Sequence, residues 1–98
     1  MPDWTFISNH GLVLAYVAKH PQRTIREIAS AIKITEWTVY KIITELEREG
    51  YIERQKVGRR NTYYVKPHSN LRHETVRHIK VKDLLLSLGW KQPENQAG

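Results

Sequence analysis

Residues 24–52 read TIREIASAIKITEWTVYKIITELEREGYI, and the spacing of their apolar side chains decides the architecture. Ile25, Ile28, Ala29 and Ile32 recur at the interval that puts one stripe on one face of an α-helix. Thr24 followed by Glu27 is a capping box, in which each side chain satisfies a backbone donor at the helix start. This helix ends near Ile32, and Lys33, Ile34 and Thr35 form a tight link. A third helix is then predicted over 36–49, capped by Thr35 and stopped by Gly50, the residue suited to a left-handed helix end. Its buried stripe is Val39, Ile42, Ile43 and Leu46. At about 100° per residue, Trp37 points away from that stripe, beside Lys41, Thr44 and Arg48.

Upstream, a first helix is predicted from Asn9 to Lys19, with Ser8 as its N-cap and Pro21 closing it. Its apolar content is broad (Leu12, Val13, Leu14, Tyr16, Val17), as expected of a helix covered on most sides. Trp4, Phe6 and Ile7 are expected to pack against the body. Downstream of Gly50 the period falls to about two. YIERQKV and NTYYVKP flank GRR, which reads as a hairpin with Gly58 in its turn, ended by Pro67. A polar segment from His68 to His78 precedes a leucine-rich helix at about 80–88. The expected organisation is one domain over 1–89, followed by a tail at 90–98 without apolar periodicity.

The fold class is therefore mainly α with a small β-hairpin: a three-helix core, a hairpin and a C-terminal helix. Lys and Arg number 16 against 10 Asp and Glu, a formal charge of +6 and a pI near 9.8. That excess favours a polyanionic partner, nucleic acid first. The absence of cysteine removes thiol nucleophiles and thiolate metal sites and fits a cytoplasmic location. No run reaches the roughly 18–20 apolar residues of a membrane span. Neither a nucleophile motif nor a phosphate-binding glycine loop is present, so no enzyme and no cofactor are expected. His68, His73, Glu74 and His78 lie close in sequence, but the interval of five between His73 and His78 does not align them on one helical face. Solvated or locally bonded histidines are the plainer reading, and no metal site is expected.

Two short helices, a tight turn and a basic hairpin form a known solution to reading duplex DNA. The second helix of the pair enters the major groove and the first braces it. The pattern T-I-x-E-I-A, then I-T, then T-V-x-x-I-I-x-x-L-x-x-x-G-Y-I, then G-R-R-N-x-Y resembles the winged helix-turn-helix of MarR- and ArsR-type transcriptional regulators. WTFISNHGLVL and LRHE with VKDLLLSL extend the likeness to about residue 89. The resemblance implies a double-stranded DNA-binding transcription factor, a homodimer on a palindromic site and more often a repressor. It implies no particular small-molecule effector.

The residues expected at the DNA follow from chemistry and placement. Glu36, Trp37, Thr38, Tyr40, Lys41 and Thr44 occupy the exposed, N-terminal part of the third helix. Lys41 reaches phosphate or guanine, Thr38 and Tyr40 donate hydrogen bonds, and Trp37 offers an indole N–H and an apolar ring. Lys56, Arg59, Arg60 and Asn61 sit around the hairpin tip. Arg23 and Arg26 lie at the start of the second helix, where backbone phosphates commonly meet helix N-termini. The alternative is a winged-helix protein-interaction module with Trp37 and Tyr40 as its aromatic hot spot. The basic wing argues for DNA, since a protein surface has little need of those charges. The leucine-rich last helix serves either the core or a dimer contact.

Overall fold

The computed structural model describes residues 5–92. Its elements are α1 (Asn9–Lys19), α2 (Ile25–Ile32), α3 (Glu36–Arg48), β1 (Ile52–Val57), β2 (Arg60–Val65), a 3-10 turn (Glu74–Val76) and α4 (Val81–Ser87). The N-caps are those expected: Ser8 accepts from the Gly11 N–H, Thr24 from Glu27 and Thr35 from Thr38. The Thr24–Glu27 capping box is complete, the Glu27 carboxylate accepting from the Thr24 N–H at 2.9 Å.

Val13 and Val17 of α1, Ile28 of α2 and Val39 of α3 are fully buried in one core, joined by Ala29, Ile42, Ile43 and Leu46. The small Ala29 side chain lets α2 and α3 approach closely. This is a winged-helix fold, with the antiparallel β1–β2 hairpin as its wing. Ile52, Tyr63 and Val65 close the core from the hairpin's base. The Tyr63 N–H donates to the Pro21 carbonyl at 2.9 Å, tying β2 to the connection between α1 and α2.

Three helices end on a left-handed residue. After α3, Gly50 (φ 83°) sends its N–H to the Glu47 carbonyl while Tyr51 returns to Leu46, a Schellman closure. After α4, Gly89 (φ 95°) bonds to Leu86 and Trp90 to Leu85 in the same way. That closure turns Trp90 back into the core, where it is 5% exposed. The expected domain boundary at residue 89 thus falls one residue short of a core side chain; residues 93–98 of the expected tail lie outside the described residues. At the end of α2 the left-handed position is Lys33 (φ 67°), an uncommon conformation for a residue with a Cβ. The Ile34 N–H still reaches Ala29 at 3.1 Å.

The N-terminal segment departs from expectation. Phe6 is 92% exposed rather than packed on the body, and Trp4 lies outside the described residues. Ile7 is half-buried against Gly11, where a Cβ would stand only 2.6 Å from its Cγ2. Of the leucines in α4, Leu85 is buried and Leu86 about half exposed. Among the described residues, no helix is long and apolar enough to cross a membrane. Replacing Trp90 with Ala is expected to cost about 3–5 kcal/mol, the range for deleting a large core aromatic. Urea unfolding measures it; a loss under about 1 kcal/mol would show that Trp90 contributes no core packing.

Candidate nucleic-acid interface

The wing turns through two residues, Gly58 and Arg59, because Val57 and Arg60 are already paired across the strands. Gly58 adopts φ 63°, the glycine-first arrangement that two-residue hairpins favour. Arg59 therefore stands alone at the tip as a charge, while Arg60 opens β2 and Lys56 pairs with Asn61 one step further down. The expected turn over 58–60 is shorter by one residue.

Sequence spacing does not reveal how near the wing lies to α2. A cleft of about 340 Å³ runs between the start of α2 and the wing, lined by Gln22, Arg23, Thr24, Ile25, Arg26, Arg59, Arg60, Asn61 and Tyr63. Five of the expected DNA-contacting residues meet there: Arg23, Arg26, Arg59, Arg60 and Asn61. The Tyr63–Pro21 backbone bond holds the two walls together, and the Arg60 guanidinium reaches the Gln22 carbonyl at 3.5 Å. Gln22 is absent from the residues expected at the site. Its part is played by a backbone carbonyl, which carries no residue-type signal. Tyr63, expected only as a wing-strand residue, also lines the cleft; burial pushes its phenol up, while Arg54 and a hydrogen bond with Asn61 act in the opposite direction.

The exposed face of α3 divides into free and engaged groups. Glu36, Trp37, Tyr40 and Lys41 are exposed. Trp37 and Tyr40 stack on each other, ring centroids 5.8 Å apart and planes 24° from parallel. The Thr38 hydroxyl is shared with Thr35 at 2.8 Å, and the Thr44 hydroxyl donates to the Tyr40 carbonyl at 2.9 Å. These two threonines are thus partly occupied within the helix.

Glu45 pairs with His10 at 2.8 Å, Glu47 with Arg54 at 3.5 Å and Glu49 with Arg72 at 3.3 Å, so each of these carboxylates at the C-terminal end of α3 has a partner from outside the helix. In the cleft only Arg23 forms a salt bridge, to Glu27 at 3.5 Å. Among the described residues, Arg26, Lys41, Lys56, Arg59 and Arg60 form none. Mutual repulsion among such cations is tolerable in water but is relieved by a bound polyanion. The His73 ring takes part in a cap on the 3-10 turn, its Nδ1 accepting from the Thr75 N–H at 3.2 Å. Among the described residues, no group of three or more His, Asp or Glu side chains is arranged to hold a metal ion.

Two carboxylates are held below the usual range. The Thr24 N–H, with its hydroxyl and Arg23, stabilises ionised Glu27; the hydrogen bond from His10 does so for Glu45. A lowered folded-state pKa means that ionisation stabilises the fold at neutral pH, and that this contribution is lost as pH falls through that pKa. Glu27→Gln is therefore expected to be less stable than wild type at pH 7 and to lose less stability on acidification to pH 3. Thermal unfolding at the two pH values checks this; an unchanged acid response would contradict it.

Comparison with known proteins agrees with the fold. Residues 11–69 match the family described as "Sugar-specific transcriptional regulator TrmB". A crystal structure described as a predicted DNA-binding transcriptional regulator from E. coli is similar with a TM-score of 0.55 and 18% identity, over 79% of this chain and 70% of that one. A riboflavin kinase from Thermococcus kodakarensis is 46% identical over 44 residues, which are 45% of this chain. The chain spans only about a fifth (21%) of that relative's length. The matched family is TrmB, whereas the sequence patterns suggest MarR and ArsR types; the winged-helix regulator class is the part of that expectation the comparisons support. The chain belongs to the TrmB family of transcriptional regulators.

Proposed function

We propose that this chain binds specific sequences of double-stranded DNA, with the N-terminal half of α3 in the major groove and the wing and cleft arginines on the sugar-phosphate backbone. The observation that carries the reading is the cleft between the start of α2 and the wing, which gathers Arg23, Arg26, Arg59 and Arg60, of which only Arg23 forms a salt bridge among the described residues. Arg23, Arg26, Arg60 and Lys56 take phosphates. Arg59, at the tip, reaches the flanking groove with Asn61 near it. Glu36, Trp37, Thr38, Tyr40, Lys41 and Thr44 face the bases, the two threonines through whatever hydrogen-bonding capacity their helix bonds leave.

On this reading the protein acts in the cytoplasm as a homodimer on an inverted repeat, and as a repressor, the sign of action suggested by its likeness to MarR- and ArsR-type regulators. Exposed Leu86 on α4 supports a dimer contact there. The riboflavin kinase relative supports no catalytic reading, because the shared segment is a minor part of that protein. The second reading, a protein-interaction module, draws on the exposure of the Trp37–Tyr40 pair. It leaves the wing cations without a purpose.

Binding to random duplex DNA across a salt series tests the proposal. If about six phosphates are neutralised per dimer, the log–log slope is about −5, and each phosphate that Arg59→Ala/Arg60→Ala leaves unneutralised makes it shallower by about 1. Salt-independent binding, or an unchanged slope in the double variant, would overturn it.

A further inference from the structure

Trp37 is the second residue of α3 and Tyr40 lies one turn further on. They are 69% and 47% exposed, yet they are not independent rotors. At 5.8 Å between centroids and 24° between planes, each ring limits the other and the pair forms one apolar plate. Side chains on a helix lean towards its N-terminus, and in helix-turn-helix proteins that end of the second helix meets the base edges. The surrounding groups narrow what the plate can do. Thr38 and Thr44 have their hydroxyls engaged within the helix. Glu36, beside Trp37, repels phosphate and so disfavours resting the plate on the backbone. Lys41, one turn after Trp37, supplies the charge that holds this face on the polyanion.

Base-pair edges in the major groove are polar apart from the C5-methyl group of thymine. An apolar plate pressed into that groove has this one group to desolvate. We propose that the stacked Trp37–Tyr40 pair is the specificity-determining element of α3, and that it selects sites by burying thymine methyl groups. The proposal rests on the DNA-binding reading above and adds to it a base identity and the side chains that read it.

The test uses the full chain and a duplex pool enriched by binding from a random library, then copied with either thymidine or deoxyuridine triphosphate. Uracil lacks only the methyl group. Wild type is expected to bind the uracil pool more weakly, by about fourfold for each buried methyl removed, as for one buried CH2. In Trp37→Ala the ratio between the pools should fall to about one, with the helical circular dichroism unchanged because the side chain is exposed. Trp37→Phe should keep part of the ratio. Arg59→Ala should weaken both pools while preserving it. Equal binding of the two pools by wild type, or a ratio that survives Trp37→Ala, would overturn the proposal while leaving DNA binding intact; the second result would hand the plate to a protein partner. Failure to enrich any duplex would instead bring down the DNA reading itself, and this inference with it.

Discussion

The packing of α2 against α3 is the constraint on which the rest of the structure depends. Ile28 and Ala29 on one side and Val39, Ile42 and Ile43 on the other share a single core, and burying each of the larger side chains contributes roughly 1.5–3 kcal/mol. With Val39 fully buried, the helix has no freedom to rotate. Two residues earlier, at about 200° around the axis, Trp37 must face outward. The exposure of a large aromatic side chain is thus a consequence of core packing, which sets the direction of every group available to a partner.

Helix ends then set where each element goes. Gly50 is legible in the sequence because a lone glycine after a periodic apolar stripe signals a left-handed stop. Gly89 carries the same signal, but the polar residues after Trp90 obscure it, so Trp90 reads as the start of a tail. Its N–H bond to Leu85 shows why that aromatic belongs to the core. Lys33 is not legible at all. Nothing in a lysine's chemistry favours a φ of 67°; the tight link between two packed helices imposes it, a tertiary demand that overrides local preference.

The charges are legible singly, their assembly only in part. Arg23 and Arg26 at a capped helix start, and Arg59 and Arg60 at a glycine turn, can each be placed on an element from local pattern. Their meeting in one cleft depends on the Tyr63 N–H and the Pro21 carbonyl, a bond between backbone groups 42 residues apart (63 − 21). Backbone partners of this kind leave no trace in residue identity. Hydrophobic periodicity exposes the faces of helices, whereas distances between faces arise from packing and long-range hydrogen bonds.

The same division runs through the electrostatics. Glu45, Glu47 and Glu49 follow one another at every second position, from the last turns of α3 to its C-cap. The fold gives each a partner from elsewhere in the chain, His10, Arg54 and Arg72 in turn, while the wing keeps Lys56, Arg59 and Arg60 clear of salt bridges among the described residues. The most direct test of this account is a map of backbone amide NMR shifts during titration with a duplex selected from a random library. The account predicts perturbations concentrated at residues 22–26, 36–44 and 56–61. Shifts confined to α1 and α4, with those three segments silent, would contradict it.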